Sequence, residues 1–117
     1  MAQHLVSGQH GEGLAVSYIC KQGYSVLHRN WRYKYWEVDI VAMDAETLVF
    51  IEVKSRTNTS FGEPAEFVDW KKKRNLVKIA EAYLKIMNFE GEIRFDIAAV
   101  YLETQQVELI KDAFWSS

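Results

Sequence analysis

Residues 36–56, WEVDIVAMDAETLVFIEVKSR, constrain the fold more than any other stretch of the chain. Two period-two apolar runs, 37–43 and 48–54, flank the polar stretch Asp44-Ala45-Glu46-Thr47. That pattern predicts a β-hairpin. A symmetric turn at 44–47 pairs Met43 with Leu48, and the same register sets Asp39 opposite Glu52 and Glu37 opposite Lys54. Strand side chains alternate, so these four share one face. Val38, Ile40, Val49, Ile51 and Val53 take the other face and are expected in the core.

Directly opposed carboxylates stand roughly 4.5–5.5 Å apart at Cβ and repel, so the pair calls for a cation. Lys54 supplies one positive charge from the same face. A divalent metal supplies the rest, because converging oxygen ligands suit Mg²⁺ or Mn²⁺. A second reading stands beside this one: a solvated outer face with a chance acid pair, or a register broken by a β-bulge.

A length of 117 residues fits one domain with a real core. The 49% hydrophobic and 14% aromatic fractions argue for a globular protein rather than a disordered one. No apolar run approaches the ~20 residues of a membrane span. No signal peptide is evident, and the single cysteine, Cys20, fits a reducing cytoplasm; a small core residue is its expected place. His4, His10 and His28 lack zinc-ligand spacing. The net charge of −2 does not suggest nucleic acid, but its distribution does. Residues 36–53 hold five acids and no base, between flanks 1–35 (four bases, one acid) and 54–78 (seven bases, three acids). Acids set between basic flanks suit a metal centre inside a phosphate-binding surface, and ordinary surface heterogeneity gives the same counts.

A first helix is predicted from Ser7, as N-cap, to Gln22, with Gly23 as the C′ residue. Gly11 and Gly13 disfavour it, which points to close approach of another backbone or a ligand. Glu12 heads the apolar stripe Ala15, Val16, Ile19; by itself it fits an acid complementing the helix N-terminus. Residues 24–33 read as a strand, and Asn30-Trp31-Arg32-Tyr33-Lys34 interleaves bases with aromatics. Such interleaving serves phosphate gripping and base stacking, or equally an exposed edge strand. After the hairpin, 55–62 is a polar loop in which Arg56 is the expected substrate contact. A helix then runs from Pro64 to about Met87, with a break near Asp69 and a buried stripe of Leu76, Ala80, Tyr83, Leu84 and Met87. Lys71, Arg74, Lys78 and Lys85 form a basic face that is either phosphate-binding or merely solvated. Strands at 93–102 and 107–110 complete the chain, and Phe114-Trp115 is a lid on the core or an exposed apolar contact.

Asp39, then Glu52-Val53-Lys54, resembles the D…(D/E)-x-K signature of the PD-(D/E)xK nuclease superfamily. The wider string is more specific: Gly11-Glu12, Gly23-Tyr24, Arg29-Asn30-Trp31-Arg32, residues 38–42, residues 49–56, Phe61-Gly62 and Arg94-Phe95-Asp96. In that order these resemble the YraN-like family, grouped with Holliday-junction-resolvase-type endonucleases, from about Gly8 to about Val100. Trp36 stands where that family usually has Gly. The resemblance implies a single endonuclease-like domain of α/β class. The element order itself reads as a three-layer fold with a mixed sheet, an antiparallel meander and a long helix crossing over to a parallel strand. The resemblance agrees, implying a restriction-endonuclease-like fold in the order α-β-β-β-α-β, here with a short C-terminal strand appended. The implied function is a metal-dependent DNA endonuclease acting on branched or damaged DNA. Asp39, Glu52, the Val53 carbonyl and Glu12 would hold Mg²⁺ or Mn²⁺, and Lys54 would complete the catalytic set. Arg29, Arg32, Arg56, Lys71, Arg74 and Lys78 are the expected DNA contacts, and resolvase relatives act as two-fold dimers. The alternatives are a catalytically silent nucleic-acid-binding module and a protein-interaction module on the same fold.

Overall fold

Residues 48–51 and 97–100 are apolar without alternation, the pattern of strands covered on both faces. In the computed structural model all eight side chains are fully buried. The structure describes the backbone of residues 2–56 and 69–114 and the side chains of 10–56 and 69–114. Its elements are α1 (Ala2–Lys21), β1 (Ser25–Tyr33), β2 (Trp36–Asp44), β3 (Thr47–Arg56), α2 (Trp70–Ile86), β4 (Ile93–Tyr101) and β5 (Gln106–Ile110). The sheet runs β1-β2-β3-β4-β5. β3 and β4 are parallel and every other pair antiparallel. This is the expected mixed-sheet α/β fold, with α2 in the crossover between the parallel strands. None of the described helices is long and apolar enough to cross a membrane.

The two helices cover opposite faces. Ala15 and Ile19 of α1 pack with Ile40, Ala42, Val49, Ile51, Ala98 and Val100. Leu76, Ile79, Ala80 and Tyr83 of α2 pack with Val38, Val41, Leu48, Phe50 and Phe95. Phe114 closes this second layer, stacked on Phe95 at 4.9 Å, and so serves as a lid; Trp115 lies outside the described residues. Opposite, Asp96 is fully buried. Arg94 clamps it through Nε (2.9 Å) and Nη2 (3.0 Å), and the Tyr24 hydroxyl and Asp112 N–H donate to it at 3.0 Å each. Arg94 Nη2 also reaches Asp44, tying β4 to the hairpin end. Four donors, two of them from a cation, satisfy a buried acid that would otherwise be costly.

The turn chemistry follows the sequence. Asp44 pairs with Thr47 and Met43 with Leu48, as the symmetric turn requires. Ala45 takes φ +54°, the positive value that the first central residue of a tight hairpin turn adopts. Gly23, at φ +97°, ends α1 as expected: Gly23 N–H donates to Cys20 O and Tyr24 N–H to Ile19 O. These are the two bonds of a Schellman cap.

Several expectations are corrected. The first helix begins at Ala2, so Ser7 lies inside it and Glu12 falls well past the first turn. An acid there does not complement the helix N-terminus. Val38 does not share a face with Ile40. Trp36 and Val38 pack on the α2 side, as do Val41 and Met43, whereas Ile40 and Ala42 pack on the α1 side. The apolar phase of β2 therefore changes across Asp39. Asn30, across from this point on β1, takes a positive φ of +54°, and the register shift of that strand pair lies between Val26 and His28. Met87 is exposed because it is the C-cap of α2, not part of its buried stripe, where Ile79 stands instead. Cys20 is exposed rather than in the core. The second helix starts at Trp70 with Asp69 as N-cap; Pro64 and loop positions 57–62 lie outside the described residues.

One glycine has a close neighbour, though it is a side chain rather than the backbone or ligand expected. A Cβ on Gly11 would collide with Ser55 Oγ and stand 3.1 Å from Ser55 Cβ, because α1 crosses the end of β3 there. Around Gly13 nothing lies within 4 Å. Gly11→Ala should therefore lower the melting temperature, with part of the loss recovered in Gly11→Ala/Ser55→Ala. Gly13→Ala should raise stability by up to about 1 kcal/mol through helix propensity. Thermal melts of the four proteins check both signs.

Candidate functional site

The β2–β3 ladder stops at Ile40 opposite Ile51, one step short of Asp39 and Glu52. β3 continues along β4 as far as Arg56, so its flank toward β2 loses its strand partner. A buried N–H without an acceptor is strongly disfavoured. The Asp39 carboxyl takes the vacant place and accepts from Val53 N–H at 2.8 Å. The same carboxyl lies near enough to Glu52 for that acid's hydrogen bonding and charge to raise its pKa. The structure thus brings the two acids together, by side chains reaching across a gap rather than by a continuing ladder.

Glu52 is buried, with its side chain 4% exposed, and its cation comes from α2: Lys72 Nζ lies 3.1 Å from Oε2. The Asp69 cap fixes that approach, since Asp69 accepts from Lys72 N–H at 2.9 Å and sets the first helical turn. Burial pushes the Asp39 pKa from 3.8 up to about 8, helped by the hydrogen bond to Glu52 and by its charge; Val53 N–H and Lys72 oppose the shift. Two acids this close hold a proton between them when no other cation does.

The other predicted residues fall as follows. Lys54 follows Glu52 on the same face of β3, half-buried, with no ion-pair partner among the described residues. Glu37 does not oppose Lys54. Once β2 has left β3, its cross-strand neighbour is Arg32 of β1, at 2.6 Å. Glu12 is buried on α1 and held by Arg29 Nε (2.9 Å) and Asn30 Nδ2 (3.1 Å). Among the described residues no three His, Cys, Asp or Glu side chains form a metal-holding group, so Glu12 is not gathered with Asp39 and Glu52. Arg29 is committed to Glu12 and Arg32 to Glu37. Arg56 is half-buried at the end of β3, where its Nη1 meets Ser55 O at 3.2 Å. Lys71, Arg74 and Lys78 are exposed along α2, Arg74 lying over the Trp70 ring at 5.1 Å.

Sequence reasoning missed Lys72 as a partner of the acids. It stood inside a run of four bases, and helical spacing from Pro64 gives no reason to single it out. The usable signal was Asp69 as a cap, which makes Lys72 the third helical residue.

The donor set is two carboxylates and the backbone oxygen of Val53. Mg²⁺ is commonly held by one or two carboxylates while keeping waters and substrate oxygens, so this set suits it.

The raised Asp39 pKa has a definite consequence for stability. The folded protein keeps this proton where the unfolded chain has lost it. The stability that the group contributes is full below about pH 4 and is lost as pH rises toward about 8. Asparagine mimics the protonated acid and can keep the bond from Val53 N–H. In EDTA, Asp39→Asn should gain on the wild type steadily between about pH 4 and 8, then level off. Parallel melting curves across that range would mean that the two acids do not share a proton.

The stretch that carries these residues, 11–100, matches the model of the family described as "Uncharacterised protein family UPF0102". The chain is 43% identical to a UPF0102 protein of Bacteroides thetaiotaomicron over 117 residues, covering 98% of this chain and 97% of that one. It is 42% identical over 117 residues to UPF0102 protein FP2501 of Flavobacterium psychrophilum, covering 98% of each. UPF0102 protein TTE1452 of Caldanaerobacter subterraneus is 42% identical over 105 residues, or 89% of this chain and 86% of that protein. With a family match over most of its length and relatives of this closeness, the chain belongs to the UPF0102 family.

Proposed function

We propose that this protein is a metal-dependent endonuclease acting on DNA, with branched or damaged structures as substrates. The observation that carries the reading is the Asp39–Glu52 pair, gathered at the point where β2 and β3 part, with Lys54 next on the same face. Asp39, Glu52 and the Val53 carbonyl would hold Mg²⁺ or Mn²⁺, with Glu12 contributing after release from Arg29. When bound there, such an ion would supply Lewis-acid polarisation of the scissile phosphate and a more acidic water. Lys54 orients the attacking water and stabilises charge on the phosphoryl oxygens. Lys72 offsets the charge of buried Glu52, and the exposed Lys71, Arg74 and Lys78 grip the DNA backbone.

A second reading, a binding module without cleavage, draws on two observations. Lys72 already neutralises Glu52 from within the chain, and Arg29 with Asn30 occupies Glu12. Cleavage of linear, single-stranded and four-way DNA in Mg²⁺, Mn²⁺ or EDTA separates the two. The nuclease reading expects metal-dependent cleavage that Lys54→Ala abolishes without lowering the melting temperature. Salt-sensitive binding with no cleavage in any metal would favour the binding module.

Two further outcomes are expected. Mn²⁺ at a hundredfold excess over its dissociation constant should stabilise the wild type by about 2.7 kcal/mol. Asp39→Asn should lose most of that gain, and a wild type indifferent to Mn²⁺ would remove the metal from the reading. Neutralising Lys71 and Arg74 together should reduce the slope of log affinity against log salt by about 0.9 for each DNA phosphate that the variant no longer neutralises. An unchanged slope would make this a solvated face.

A further inference from the structure

The β1–β2 ladder continues to Tyr33 opposite Trp36, well past the point where β2 leaves β3. Residues 30–39 thus form a two-stranded ribbon that separates from β3 at Asp39. Its rings form a row. Trp31 and Tyr33 stack at 6.4 Å with planes 11° apart, and Tyr33 and Trp36 at 6.5 Å with planes 28° apart. The inner end is anchored, with Trp31 edge-on to Tyr83 of α2 at 5.0 Å. The outer end is open: Tyr35 at the tip is 97% exposed, and Lys34 Nζ stands 5.4 Å from the Tyr33 ring centre. The row packs on the α2 side of the sheet, the side on which Glu52 meets Lys72.

Cross-strand aromatic pairs stabilise any ribbon, and that accounts for Trp31 and part of Trp36. It does not account for a fully exposed Tyr35 beside a lysine that joins no ion pair among the described residues. Arg32 is paired with Glu37, so the positive charge at the exposed tip is that of Lys34. Aromatic faces in a row, with cations interleaved, are what unpaired nucleobases and their phosphates recognise. Every base has a face to stack, and each stacked base contributes about 1–3 kcal/mol.

We infer that the ribbon is a stacking platform for unpaired bases of DNA, so that the substrate class is DNA with a single-stranded segment entering beside the Asp39–Glu52 pair. Overhangs, flaps and splayed arms belong to this class, and continuous duplex does not. The inference rests on the DNA reading of the site but not on catalysis. Tyr33 and Trp36 hold the bases nearest the carboxylates, and Tyr35 with Lys34 meets the strand as it arrives.

Binding in EDTA tests this without cleavage. The probes are fluorescein-labelled DNAs of roughly 20 nucleotides: a single strand, a blunt duplex, and a duplex with a single-stranded tail longer than a typical ~4–16-nucleotide binding site. The wild type should prefer the single strand and the tailed duplex, and binding should quench tryptophan fluorescence. Tyr35→Ala and Trp36→Leu should each weaken the single strand and tailed duplex by about 5- to 150-fold, the equivalent of one lost stack, and leave blunt duplex unchanged. Tyr35→Ala removes an exposed side chain, so its effect cannot arise from misfolding. Equal affinity for all three DNAs, unchanged binding by Tyr35→Ala and Trp36→Leu, or preference for an RNA strand of the same sequence would each overturn the platform. If the preference holds while no metal supports cleavage, the platform stands and the nuclease reading falls. Metal-dependent cleavage of blunt duplex at the same rate in both variants would do the reverse.

Discussion

Val53 N–H loses its strand partner where β2 departs from β3, and the Asp39 carboxyl replaces it. The arrangement of the site depends on this substitution. It holds an acid at the fork, brings it against Glu52 and turns the pair toward α2, where Lys72 waits. The departure of β2 also frees the ribbon from the sheet, so the carboxylate pair and the aromatic row share one origin. A ladder continuing past Ile40 and Ile51 would leave neither a fork nor a ribbon.

Rigidity around the fork comes from both layers of the core. β3 and β4 are sealed by α1 on one side and α2 on the other, and the Gly11–Ser55 crossing brings α1 close to the end of β3. At the hairpin end, Arg94 and Asp96 bind the turn residue Asp44 and the Tyr24 hydroxyl. Burial, with the neighbouring Asp96 charge, raises the Tyr24 pKa, so the hydroxyl stays protonated and donates. The Arg94 pKa is raised too, foremost by its hydrogen bond to Asp96. A fixed hairpin end and an open fork are consistent with a scaffold that places polar groups on rigid elements.

Much of this was legible in the residues. Alternation and turn chemistry predicted the hairpin register near Asp44 and the Gly23 cap, and the element order predicted the crossover helix and the parallel strand. What failed did so where local pattern gives way to longer-range geometry. Strict alternation put Val38 beside Ile40, but the phase changes across Asp39 while Asn30 adopts a left-handed backbone, and no period-two rule anticipates that. Glu37 lost Lys54 and found Arg32 because a cross-strand partner depends on which ladder persists. Lys72 was hidden in a uniform basic run whose members differ only once the helix start is known. The gathering of Asp39 with Glu52 was readable, whereas the binding of Glu12 to Arg29 and Asn30 required the tertiary packing of α1 on β1.

The crossover has a consequence for the order of assembly. Asp39 and Glu52 belong to one hairpin with a two-residue turn, among the most local pairings in the chain. Lys72 reaches Glu52 only when α2 docks, and the β3–β4 pairing that the crossover serves closes a far longer loop. Local hairpins form faster than long-range parallel pairings, because less chain entropy is given up before the strands meet. The acids therefore meet before their internal cation arrives. Water screens their charges in the nascent hairpin, and the repulsion between them grows only as the core closes over the pair. Docking of α2 therefore buries the acids and delivers their cation in the same step.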